Sequence, residues 1–303
     1  VLLLYRSNFR LFRSQLQFRA GFLFLGRDLV RIEAVITCVN HADFLAHTLP
    51  ENLQHLDHVV VVTSPTDKAT KDICNYYGVV CVDTDVFTEH GDKFNKGRGI
   101  NVALNHCRHD EWLLQMDADV ILPHRFRWTL GAAKPSAENL YGADRLNVNG
   151  WEKWKKVKDS LVPQFQNGCH VWAHPELDFG ARLLHGDYGY TPIGYFQLWH
   201  RSQKRFYPGS GASSEHSDVM FAIQWPRANR ILLPQMFVYH LDSLEKPEQG
   251  VNWHGRKTPA FCPCHDYFMP ENLKYGRHRH HRRHHGHHHH GHHHYKPYKP
   301  TED

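Results

Sequence analysis

Four short, strongly apolar runs separated by helix-patterned segments constrain this chain more than any single motif. Residues 33–39 (EAVITCV), 58–63 (HVVVVT), 79–82 (VVCV) and 112–116 (WLLQM) are short, and their branched and aromatic side chains mark them as strands. Between them, residues 41–56, 68–77 and 96–107 carry apolar side chains at helical spacing, and Gly78 ends the second of these segments. Strands that lack polar alternation are buried on both faces. Their alternation with helices predicts a parallel sheet wound in the Rossmann manner. The dinucleotide fingerprint is absent, because Gly97 and Gly99 form only GRG, with no third glycine in place and no strand directly before them. A nicotinamide dehydrogenase is therefore disfavoured. No glycine-rich phosphate loop ending in Gly-Lys-Ser/Thr occurs either, which removes the P-loop class.

The fourth strand runs straight into Asp117-Ala118-Asp119. Ionised carboxylates at a buried strand end need a partner or a metal, and ligands of open α/β sheets gather outside the carboxyl ends of the strands. Two acids so placed can hold a divalent cation, which can in turn hold a diphosphate. Capping of the turn before Pro123 is the plainer alternative.

After Pro123 the pattern loosens into aromatic and glycine-rich segments, the texture of a substrate-binding half. Residues 195–199 (YFQLW) read as a strand, and 217–225 (SDVMFAIQW) as a helix with Ser217 as its cap and Asp218 in its first turn. Residues 231–233 and 236–239 read as two short strands around Pro234, closing on His240.

The 303 residues, 41% of them hydrophobic, allow one large α/β domain or two small ones. The net charge is +5, and six Lys and Arg against two acids in residues 277–303 supply most of it. The body is close to neutral, so charge does not indicate a broad nucleic-acid-binding face there. Nearly half of that tail is histidine, a composition that builds no core and reads as disordered and metal-binding. Seven cysteines without regular spacing argue for a reducing, cytoplasmic setting, and Cys262, Cys264 and His265 form a cluster that can touch zinc. Residues 1–26 are apolar but interrupted by Arg6, Arg10, Arg13 and Arg19, which leaves no uninterrupted run of the ~20 residues a span requires. They read as an extension, with an amphipathic surface helix or a leader as alternatives.

Taken in order, the parallel β-α-β half, Asp67, Lys96 with Arg98 and Asn101, Asp117-Ala118-Asp119, Glu215 with Asp218, and a strand ending in His240 resemble the GT-A-fold glycosyltransferases, nearest the inverting family-2-like group. The likeness covers residues 32–261. It implies a Rossmann-like, mostly parallel sheet with flanking helices and an acceptor-side subregion. The catalytic domain would span 31–275, its nucleotide-binding half ending near 123 and its acceptor half following, between an N-terminal extension (1–30) and the tail (276–303).

The resemblance also implies transfer of a sugar from a nucleoside-diphosphate donor, with a divalent metal bridging protein and diphosphate. Asp119 would be a metal ligand, and Asp117 would hold the ribose or share the metal. His240 would add an imidazole nitrogen, a donor mix that suits Mn²⁺ better than Mg²⁺. Asp218 would be the base that takes the acceptor's proton, with Glu215 as the alternative. Asn40 and Asp67 match positions that bind base and ribose, and Lys96, Arg98 and Asn101 would face the phosphates or the sugar. Residues 252–257 (NWHGRK) look like the loop that closes over the diphosphate, with Arg256 and Lys257 as clamps and Trp253 as cover.

Tyr195, Phe196, Trp199 and Trp151 either stack on an acceptor or fill the core. The acceptor is a glycan or another hydroxyl compound, and the basic tail would suit a modified nucleic acid. Two other classes compete with this reading. A sugar-phosphate nucleotidyltransferase would need a glycine-rich phosphate loop where Asn40-His41-Ala42 stands. A non-enzymatic metal-binding protein would act through the histidine tail.

Overall fold

The computed structural model describes residues 30–108, 111–158, 177–180, 182–185, 189–210, 213–244, 252 and 254–262. The N-terminal extension, Trp253, the Cys264-His265 end of the cysteine cluster and the histidine tail lie outside them. In chain order the elements are β1 (Ile32–Thr37), α1 (Ala42–Asn52), β2 (His58–Thr63), α2 (Lys68–Tyr77), β3 (Val80–Asp83), α3 (Lys96–Leu104), β4 (Trp112–Asp117) and β5 (Val120–Ile121). There follow α4 (Phe126–Ala133), β6 (Leu140–Asn149), α5 (Trp151–Val157), β7 (Asp178–Phe179), β8 (Leu183–His185), β9 (Gly189–Thr191), β10 (Phe196–His200), α6 (Ser217–Ala222) and β11 (Arg230–Asp242).

The main sheet has the order β3-β2-β1-β4-β10-β6-β11-β5, with β7 paired to β6. Pairing is parallel from β3 through β4 and again between β6 and β11. Strand β10 runs antiparallel to both neighbours and joins the two parallel blocks. The class is α/β, as the alternation predicts.

The sheet is covered on both faces, which is why β1 is buried at every position. Ala34, Ile36, Val59 and Val61 pack with Leu45 and Leu49 of α1, Ile73 of α2 and Leu130 of α4. Their alternates Val35, Val60 and Val62 pack on the other side with Ile100 of α3 and Phe221 of α6. The period of two along each strand thus decides which helix each residue meets. Phe196 and Trp199 are fully buried here, so of the four aromatics proposed for stacking these two belong to the core. Trp151 packs on His47 and Phe261.

Among the helix ends, Asp67 caps α2 by accepting the Thr70 N–H, and Gly78 closes it at φ 67°. Asn95 caps α3. Helix α6 starts one residue earlier than predicted: His216, at φ 65°, holds the cap position expected of Ser217, and Ser217 Oγ instead donates to the Ser214 carbonyl. The two short strands expected around Pro234 are a single strand, β11, whose register slips between Leu232 and Phe237. The glycines of GRG serve packing, since a Cβ on Gly99 would lie 2.1 Å from the Phe87 ring. Among the described residues no helix is long and apolar enough to cross a membrane.

Candidate active site

The carboxyl ends of β1, β4, β6 and β11 surround a cleft of about 800 Å³. Lys96, Asp117, Asp119, Asp218 and His240 all line it, so side chains far apart in sequence converge on one space. The fold dictates the convergence of Asp119 with His240. Asp119 immediately precedes Val120, whose β5 position pairs with His240 of β11. The Asp119 carbonyl also accepts the Leu241 N–H at 2.8 Å. From the other side α1 holds the same turn: Thr48 Oγ donates to the Ala118 carbonyl at 2.6 Å, and Asn52 bonds the Val120 carbonyl and the Leu122 N–H, each at 2.8 Å.

His240 Nε2 stands 3.8 Å from Asp119 Oδ1. Burial, reinforced by the nearby Arg145 charge, pulls the imidazole down to about 4, so its nitrogen lone pair is free at neutral pH. Asp119 shows the opposite strain. Its Oδ1 is buried without a hydrogen-bond partner, and burial followed by the Asp117 charge holds its carboxyl well above the usual range. A buried carboxylate oxygen beside a neutral imidazole is a donor set short of a cation. With metal–ligand bonds of about 2.1 Å, two ligands of one ion stand no more than about 4.2 Å apart, and this pair meets that limit. Among the described residues no group of three His, Cys, Asp or Glu ligands is assembled, so an ion here would take its other ligands from water or substrate oxygens.

Lys96 is bonded through its ammonium to Asp117 Oδ1. Burial opposes its charge, but Asp117, Asp218 and Asp119 outweigh that and leave its pKa raised. Asp218 Oδ2 accepts the Gly194 N–H at 2.6 Å, and Oδ1 accepts the Val219 N–H at 2.8 Å. A Cβ on Gly194 would lie 3.1 Å from Asp218 Oδ2 and 3.3 Å from Lys96 Nζ, so the bare glycine lets base candidate and ammonium crowd one corner. Beneath them Gln197 Nε2 bonds the Asp218 carbonyl at 3.0 Å, and Tyr207 Oη bonds Gln197.

Several expected ligands are placed differently. Asp67 is 5% exposed and its carboxylate accepts from the Asn40 N–H, Thr63 Oγ, and the Thr70 N–H and Oγ, which makes it an internal fastener rather than a ribose contact. Asn40 is exposed at φ 58°, and the cleft wall uses its neighbours Val39 and His41. The Arg98 guanidinium is ion-paired with Asp92 and donates from Nε to the Gly209 carbonyl, and Asn101 is bonded to both backbone groups of Tyr207. Neither side chain lines the cleft.

Arg256 does not clamp the cleft, because it forms a paired bond to Asp43 and binds the carbonyls of Asn40, Thr258 and Pro259. It fastens its loop to the start of α1, and Asn252 and Thr258 of that loop reach the cleft. Lys257 is exposed. Glu215 pairs with His216 at 3.4 Å and lines a neighbouring hollow instead. Tyr195, expected either to stack on an acceptor or to fill the core, stands in the wall, and the residues not anticipated there include Arg145 and Asn147 of β6 and His41.

No family model matches the chain, and no curated protein does. Solved structures do match. Glucosyl-3-phosphoglycerate synthase from Mycobacterium tuberculosis, in complex with Mn²⁺, uridine-diphosphate-glucose and phosphoglyceric acid, is 14% identical over 73% of this chain and 74% of its own, with a TM-score of 0.41. A mycobacterial protein matches at 15% identity over 70% of this chain and 65% of its own, with a TM-score of 0.38. Mannosyl-3-phosphoglycerate synthase from Rubrobacter xylanophilus is 20% identical over 38% of this chain and 40% of its own, with a TM-score of 0.32. Likeness at this level assigns no activity, and the chemistry has to come from the residues themselves.

Proposed function

We propose that this protein is a glycosyltransferase that moves a sugar from a nucleoside diphosphate to an acceptor hydroxyl with inversion. The observation that carries the reading is the 3.8 Å approach of His240 Nε2 to an Asp119 oxygen that has no other partner. These two would hold a divalent ion, Mn²⁺ in preference to Mg²⁺ because one donor is imidazole. When bound, the ion would neutralise charge growing on the departing diphosphate, and that favours the transition state over the ground state.

The chain's own groups supply the rest. Lys96 ties down Asp117 and places a fixed positive charge among three carboxylates, which keeps the cleft able to receive an anionic leaving group. Asp117 then offers its second oxygen to the donor. Asp218 is oriented by the Gly194 and Val219 N–H groups and is the base that accepts the proton of the attacking hydroxyl. Thr48 and Asn52 fix the acidic turn, so little reorganisation is needed when substrate arrives.

A thermal-shift panel of nucleoside-diphosphate sugars, each with and without Mn²⁺, tests the reading. A ligand at a hundred times its dissociation constant adds about 2.7 kcal/mol of stability, so at least one donor should raise the melting temperature only when Mn²⁺ is present. No response across the panel would overturn the assignment.

A further inference from the structure

Two of the Lys and Arg side chains in the cleft wall are neutralised by a carboxylate, Lys96 by Asp117 and Arg182 by Asp144. Arg145 is different. It lines the cleft, and among the described residues no carboxylate lies in ion-pair contact with it. Its Nε is buried without a hydrogen-bond partner, and its guanidinium lies over the Tyr195 ring, 4.9 Å from the centroid. An aromatic face below holds a guanidinium plane in place while leaving its edge, the fork that binds oxyanions, free.

The position of Arg145 is set by register. In β6 it stands opposite Val238, two residues before Asn147, which stands opposite His240. Residues two apart on a strand share a face, so Arg145, Asn147 and His240 project to the same side of the sheet. Strand β10 separates β6 from β4, so this group lies in the half that follows the carboxylate pair rather than over β1 to β3. A cation on Asp119 and His240 beside an unneutralised guanidinium would be repelled unless an anion joined them.

We propose that Arg145, with Asn147 beside it, receives an oxyanion carried by the acceptor, a phosphate or a carboxylate. The word acceptor rests on the glycosyltransferase reading. The oxyanion site itself rests on Arg145 alone.

The test uses the full chain, wild type, Arg145→Gln and Arg145→Lys, with melting temperatures confirming that each folds. Each protein is saturated with Mn²⁺ and a nucleoside diphosphate that binds it, then titrated calorimetrically with inorganic phosphate and, separately, acetate. Wild type should bind at least one anion in this loaded state, Arg145→Gln at least tenfold more weakly, and Arg145→Lys closer to wild type. Affinity for the nucleoside diphosphate should be the same in all three. Preference for phosphate or for acetate identifies which oxyanion the acceptor carries.

Absence of anion binding in the loaded wild type, displacement of the nucleotide by the anion, or equal loss of nucleotide affinity in Arg145→Gln would each overturn the proposal. If no nucleoside diphosphate binds, the glycosyltransferase reading fails instead. Arg145-dependent phosphate binding by the nucleotide-free protein then upholds the oxyanion site, and its absence overturns that as well.

Discussion

Replacement of Asp67 separates a structural carboxylate from a ligand-binding one. Its two oxygens accept the Asn40 N–H at 2.7 Å, the Thr63 hydroxyl at 3.1 Å, the Thr70 N–H at 3.1 Å and the Thr70 hydroxyl at 2.8 Å. Asp67→Ala would leave all four donors without this acceptor in a site that is 5% exposed. A hydrogen bond to a charged group contributes about 1.5–3 kcal/mol, and loss of a helix cap alone costs about 1 kcal/mol. The Thr70 hydroxyl has Cys38 Sγ at 3.2 Å as a second partner, so the contributions do not simply add.

A loss of about 3–5 kcal/mol follows, carried mainly by the two stranded backbone donors. Denaturant unfolding at neutral pH measures it, with an unchanged slope as the check that both states remain comparable. Asp67→Asn keeps one acceptor oxygen and should lose about half as much. A loss under about 1 kcal/mol, together with a tenfold fall in nucleoside-diphosphate affinity, would refute the argument and return Asp67 to the donor site.

Three further outcomes are expected. Asp218→Asn should keep Mn²⁺-dependent donor binding while turnover falls by about 10²–10⁴, and an unchanged rate would remove it as the base. Gly99→Ala would drive a methyl group into the Phe87 ring, and the overpacking should cost about 1–3 kcal/mol in an unfolding titration; a neutral result would mean that the ring moves freely. His55 is buried, and burial lowers its pKa to about 4 from 6.5. A base whose pKa is depressed on folding supports stability in full above 6.5, and that support is lost as pH falls toward about 4. The limit is roughly 3 kcal/mol, and His55→Gln should flatten the stability profile across that window; an unaltered slope would contradict it.

Where side chains serve only the core, the sequence was easy to read. Strand β2 and helix α2 lie where the pattern puts them, because Val59 to Val62 are buried on both faces and Asp67 and Gly78 punctuate the helix. Strand β6, the main omission, reads LYGADRLNVN. Arg145 and Asn147 interrupt its apolar pattern because they face the cleft, so the site itself hides the strand that carries it.

Polar residues were legible as important but not as to their partners. Asp67, Arg98, Asn101 and Arg256 have the chemistry of ligand contacts, and each binds another part of the chain. Residue type alone cannot separate the two uses. What tells them apart is which donors and carboxylates the fold brings within reach. For Asp119 the fold brings His240 and no hydrogen-bond donor to Oδ1.

The central claim is that Asp119 and His240 grip one cation that in turn holds the donor diphosphate. Calorimetric titration of the stabilising nucleoside diphosphate in Mn²⁺, using wild type, Asp119→Asn, His240→Gln and the double variant, tests it as a closed cycle. A shared ion predicts that each single change weakens binding at least tenfold and that the double variant is no weaker than the worse single. Full additivity of the two losses, or wild-type affinity in either single variant, would contradict the account.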